Sequence, residues 1–139
     1  MRLTVAALML IVLLACSNSQ VKIEQDWNND FTRYRTYAWS QGAPARDPSV
    51  ESEIRAAVDF ELPFKALERV ETASLADLYV STYASVGEPA GTLVINLVDA
   101  RSGKLVWRGQ AASALDHQVS EAKLRRVMRD IFRHYPWKD

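Results

Sequence analysis

The sequence predicts an α+β domain with a mostly antiparallel sheet, element order ββαβββα, and both helices packed on one face. Three observations carry this. Short runs alternate apolar and polar residues, the period of a half-buried strand. Two longer stretches repeat apolar residues every three or four positions, the period of an amphipathic helix. The final strand-forming runs are separated by hairpin-length turns, which favour antiparallel neighbours.

The first strand is VKIEQ, residues 21–25, which the turn formers of DWNND end. RYRTYAW, 33–39, reads as a second strand rich in aromatic and β-branched residues. Gly42, Pro44 and Pro48 make the following stretch a loop. Asp47-Pro48 then offers an N-cap and a proline suited to a first helical turn. Val50, Ile54, Ala57, Val58 and Leu62 form the apolar stripe of that helix. Pro63 lacks an N–H and clashes with the carbonyl four residues back, so a break is expected there, with 64–67 as a loose last turn.

LYVSTYASV, 78–86, alternates Leu78, Val80 and Thr82 against Tyr79, Ser81 and Tyr83. A loop through Gly87, Pro89 and Gly91 leads to TLVINLV, 92–98. DARSGK, 99–104, is a turn in which Gly103 most easily takes a positive φ, and 105–113 returns as the hairpin partner. The last helix spans 120–135, with Leu124, Val127, Met128, Ile131 and Tyr135 on one stripe and Pro136 as its stop.

Composition excludes some functions. The 139 residues carry 17 basic and 17 acidic side chains, without the basic excess that nucleic-acid binding needs. Two histidines, His117 and His134, are too few for a His-rich metal cage. No nucleic-acid partner, metal or cofactor is expected. Cys16 is the only cysteine, so no internal disulfide forms.

The amino end gives an address. Arg2 is followed by an uncharged run over 3–15, about 20 Å long as a helix. A bilayer core needs roughly 20 residues, so the run is short for a span and fits a signal peptide. Leu13-Leu14-Ala15-Cys16 is similar to the lipobox of bacterial lipoproteins. That resemblance implies cleavage after Ala15 and lipidation at Cys16; the competing reading is a plain signal peptide with a cysteine beside its cleavage site. Residues 1–15 are then the leader, 16–20 a lipidated tether, and 21–139 the domain. Ser17 stands where an aspartate would signal inner-membrane retention, which by analogy favours the outer membrane, facing the periplasm. Acyl chains such as palmitate would be the anchor.

Three stretches carry a second resemblance: DFTRYRTYAW at 30–39, ADLYV at 76–80, and GTLVINLVDA running on to KLVWRG across 91–109. They resemble the bacterial lipoproteins of domain of unknown function 4136, over about residues 21–136. The family implies an envelope lipoprotein and brings no catalytic residues. Two departures stand out: Ala66 where the family tends to have glycine, and a short loop over 85–90.

Several constellations suggest chemistry. Asp26, Asn28 and Asp30 match the start of a calcium loop, but Phe31 and Tyr37 stand where its glycine and glutamate belong, so Asx-type turns are expected. Asp116-His117 with Ser113 or Ser120 could be drawn as a hydrolase triad; no G-x-S-x-G elbow accompanies them, and polar capping explains the same residues. His134 suits a helix C-terminus as a dipole partner. Lys123, Arg125, Arg126, Arg129 and Arg133 make the last helix basic, suited to lipid phosphates or simply to solvent.

The sheet offers the broadest candidate surface. If Leu93, Ile95 and Leu97 face the helices, Val94 and Asn96 face outward, joined by Tyr79, Tyr83 and Arg108. Tyr79, Tyr83, Asn96 and Arg108 are the candidate binding residues, of types enriched at interfaces. A strand buried on both faces is the alternative arrangement for LVINLV. The resulting functional expectation is a non-catalytic outer-membrane lipoprotein acting as a periplasmic binding or envelope-assembly module, held by its lipid and meeting an envelope protein. An envelope hydrolase with an unrecognised site is the alternative.

Overall fold

The structure, a computed structural model, describes residues 21–40, 48–84, 91–115 and 120–137. Their order is β1 (Val21–Gln25), β2 (Thr36–Trp39), α1 (Pro48–Glu61), β3 (Glu68–Arg69), β4 (Leu78–Ala84), β5 (Gly91–Asp99), β6 (Leu105–Leu115) and α2 (Glu121–Phe132). Short 3-10 turns occupy Phe31–Arg33, Leu62–Lys65 and Ala73–Leu75.

The six strands form one sheet in the order β1-β6-β5-β4-β2-β3. The β1/β6, β6/β5 and β5/β4 pairs are antiparallel, whereas β4/β2 and β2/β3 are parallel. The sheet is therefore mixed, which corrects the mostly antiparallel expectation. The physical reason is the crossover. The chain leaves β2, passes through α1, and returns along the same direction on either side of β2, as parallel pairing requires. The two-residue β3 has no sequence period to betray it.

β5 alternates buried and half-buried residues along its length, so one face is sealed and the other is open. Leu93, Ile95 and Leu97 lie on the sealed face with Leu78, Val80 and Trp107, as the alternation predicts, and both helices cover that face. α2 contributes Leu124, Val127, Met128, Ile131 and Phe132, all buried. Trp107 stacks on Phe132 with ring centroids 5.5 Å apart. That stack requires Gly109. A Cβ there would stand 2.4 Å from Ile131 Cγ2 and 2.6 Å from the Trp107 ring, far inside van der Waals contact.

Local chemistry sets the remaining boundaries. α1 stops at Glu61 and tightens into a 3-10 turn carrying Pro63, the break that proline imposes. That turn ends on Ala66 at φ 59°, a left-handed conformation unusual for a residue with a Cβ. The strand expected over 33–39 is confined to Thr36–Trp39, and its first residue, Arg33, instead closes a 3-10 turn over Phe31–Arg33, which Asp30 caps by accepting from the Thr32 N–H. The Asp26 carboxylate accepts from the Asn28 N–H in the same manner. The final helix ends at Phe132, short of Tyr135. Gly103 takes φ 70°, as the hairpin turn predicts.

Candidate functional site

The open face of the sheet is built by register. Glu24 on β1 pairs with Arg108 on β6, Arg108 with Asn96 on β5, and Asn96 with Ser81 on β4. These four side chains form a polar row across the strands. Arg108 Nε donates to Asn96 Oδ1 at 2.7 Å, Asn96 Nδ2 lies 3.5 Å from Ser81 Oγ, and Arg108 Nη1 stands 3.8 Å from the Glu24 carboxylate. The neighbouring row runs Lys22, Gln110, Val94 and Tyr83. Tyr83 is 53% exposed. Tyr79 is half-buried beside Val98 and Ala38. All four candidate residues thus lie on the open face, and Asn96 and Arg108 are bonded to each other. This face presents phenols, an amide and a guanidinium edge, residue types enriched at interfaces.

A second cluster closes the β5–β6 end. Asp99 is buried, and four donors converge on its carboxylate. One oxygen accepts from the Tyr34 hydroxyl at 2.7 Å and from the Arg33 guanidinium; the other accepts from the N–H groups of Arg101 at 2.8 Å and Ser102 at 3.0 Å. Burial acts to raise the Asp99 pKa, but the Tyr34 hydrogen bond, those two N–H groups and the Arg33 charge outweigh it and hold the carboxyl below its ordinary range. Asp77 does similar work nearby, accepting from the Arg35 and Thr36 N–H groups at 2.8 and 3.1 Å.

A third cluster ties α1 to the sheet. Asp59 Oδ1 accepts from Tyr37 Oη at 2.7 Å and Trp39 Nε1 at 2.9 Å, while Oδ2 accepts from Arg69 at 2.9 Å. Arg55 lies over the Trp39 ring, 4.7 Å from its centroid. Burial first, then the Asp59 anion, raises the Tyr37 phenol well above its ordinary pKa, so it stays a donor. An open cleft of about 790 Å³ runs past this cluster, between Arg35, Pro63, Leu67 and Arg69. Both carboxylates are held by several donors, the arrangement of a structural clamp.

The other sequence candidates separate. Cys16, Asp116 and His117 lie outside the described residues, as does the loop at 85–90. Ser120 caps α2 by accepting from the Lys123 N–H at 3.1 Å. His134 sits two residues past the helix end, its backbone N–H donating to the Ile131 carbonyl. The clamps on Asp59 and Asp99 were not foreseen, because each joins residues far apart in sequence. The one local signal was a capping aspartate at the start of DARSGK.

A family model described as Domain of unknown function (DUF4136) matches residues 21–137. No curated protein matches the chain at a significant level. Among solved structures, a PDZ domain protein from Parabacteroides distasonis superposes with a TM-score of 0.69 at 15% identity, covering 86% of this chain. The chain spans only 36% of that protein. A DUF4136 family protein from Bacteroides thetaiotaomicron superposes with a TM-score of 0.65 at 11% identity, covering 86% of this chain and 96% of that one. The PelC dodecamer from Paraburkholderia phytofirmans gives a TM-score of 0.56 at 9% identity, covering 81% and 95%. At these identities the likeness is one of fold.

Proposed function

The chain belongs to the DUF4136 family, and from that premise we propose that it is a non-catalytic lipoprotein, anchored through Cys16, that binds or helps assemble other envelope components. In this reading the anchor is in the outer membrane and the domain faces the periplasm. The lipobox-like LLAC and the uniqueness of its cysteine support the anchor. The observation that carries the role is the open sheet face. Both helices lie on the opposite side, and the described residues leave a continuous row from Glu24 through Arg108 and Asn96 to Ser81 uncovered beside Tyr83. The acidic clusters support the absence of catalysis, since their carboxylates serve as clamps. PelC, which shares the fold, was solved as a dodecamer, and a second copy of this chain is accordingly one partner in the proposal.

Site-specific photocrosslinking in living cells tests the role. A crosslinker at Tyr83 is expected to give a discrete adduct, to an envelope protein or to a second copy. The adduct should vanish when Arg108→Glu is added, while the circular dichroism spectrum is unchanged. No adduct at Tyr83, or one that Arg108→Glu leaves intact, removes the sheet face as the binding surface. Cys16→Ser tests the anchor separately: the chain should keep its leader and its unlipidated mass.

A further inference from the structure

The helix side of the domain carries an apolar patch that the sheet-face reading leaves unexplained. Phe60, at the end of α1, is 50% exposed, and Phe64, in the 3-10 turn that follows, is 61% exposed. Their rings stand edge to face, 5.5 Å between centroids. Trp137, 38% exposed, lies beyond α2 with the Lys65 ammonium 5.6 Å from its ring centroid. Arg125 of α2 reaches over Phe60 at 5.5 Å. Arg126, Arg129 and Arg133 are exposed along the same helix.

The charges around these rings favour cations. Within residues 60–65 and 121–133, Lys65, Lys123, Arg125, Arg126, Arg129 and Arg133 outnumber Glu61, Glu121 and Asp130. Glu121 is paired with Arg125 at 2.7 Å and Asp130 with Arg133 at 3.1 Å. Glu61 is buried beneath the patch, facing Arg129 and Lys65. Exposed aromatic rings among arginine and lysine side chains match the water–lipid interface. Rings insert at headgroup depth there and cations meet phosphate. Arg125 laid against Phe60 and Lys65 laid against Trp137 also keep their charge outward while the rings are buried.

We propose that the face formed by Phe60, Phe64 and Trp137, with Lys65, Arg125, Arg126 and Arg129, lies against an anionic phospholipid leaflet. The chain from Cys16 to Val21 extends at most about 18 Å. Val21 opens β1, which packs against α2. A domain tethered by so short a link has its helix layer within reach of the bilayer. The link rests on the lipid-anchor reading above; the patch itself does not.

Vesicle flotation decides the matter. The chain starting at Ser17 carries no acyl group, and among the described residues every buried side chain of the core cluster lies between Phe31 and Tyr135, so it is expected to keep the fold. It is expected to float with vesicles of phosphatidylethanolamine and phosphatidylglycerol, and to bind phosphatidylcholine vesicles at least about tenfold more weakly. Phe60→Ser with Phe64→Ser should weaken binding by about tenfold or more with an unchanged circular dichroism spectrum. Should that pair unfold the domain, Arg125→Gln with Arg129→Gln decides by the same loss and by a reduced salt dependence. Failure of the unaltered chain to float, or wild-type flotation by a folded variant, overturns the proposal. Because no lipid is attached in this experiment, failure here leaves the anchor at Cys16 to its own test.

Discussion

The hydroxyl of Tyr34 donates a 2.7 Å hydrogen bond to the buried carboxylate of Asp99, 65 residues away. Tyr34 follows the first 3-10 turn and Asp99 ends β5, so the bond pins the start of the fold to the tip of its hairpin. The same carboxylate holds the hairpin turn through two backbone N–H groups. Removing the charge loosens both ends together.

Asp99→Asn is accordingly expected to destabilise the domain by about 2–3 kcal/mol, and Tyr34→Phe by about 1 kcal/mol. The pH dependence follows from the lowered pKa of Asp99. The unfolded chain binds this proton first as pH falls, so the stabilisation is complete above about pH 4 and is lost as pH drops through the folded value. Urea titrations from pH 7 to pH 2 should show a steeper acid loss for the natural chain than for Asp99→Asn.

Glu61 carries the opposite sign. Burial raises its pKa, and Arg129 and Lys65 only partly oppose this. The folded chain then holds the proton more tightly, so stability falls as pH rises from about 4.3 through the folded value. Glu61→Gln should raise Tm at pH 7 by a few degrees, and the gain should disappear below pH 4. A Tm at pH 7 equal to or below that of the natural chain would show that the Arg129 and Lys65 charges outweigh its burial.

Gly109→Ala is expected to cost about 2–3 kcal/mol, since neither the Ile131 methyl nor the Trp107 ring can retreat from a dense core. Gly103→Ala is the control: the space around it is open, and only its positive φ of 70° penalises a side chain, by about 1 kcal/mol. Equal losses in denaturant melts would show that the Trp107–Phe132 layer is looser than its 5.5 Å stacking implies.

Ala66→Gly should stabilise the domain by about 0.5–1 kcal/mol. Ala66 sits at φ 59°, where its Cβ is strained, and the relief exceeds the added flexibility of glycine in the unfolded chain. A lower denaturation midpoint for Ala66→Gly would contradict this.

The sequence by itself determined which residues point inward, where α1 breaks and how the hairpin turns. Leu93, Ile95 and Leu97, the stripe of α2, Pro63 and Gly103 act through neighbours within a few positions, and that chemistry is readable at short range. It also placed Tyr79, Tyr83, Asn96 and Arg108 on one face, because strand alternation has a fixed period. Tertiary structure alone decided that β2 runs parallel to β3 and β4, that Glu68–Arg69 forms a strand, and that Asp59 and Asp99 are clamps. It alone gathered Phe60, Phe64 and Trp137 beside a basic helix. Each of these depends on which distant segments meet, and pairing across tens of residues leaves no periodic trace in the chain that makes it.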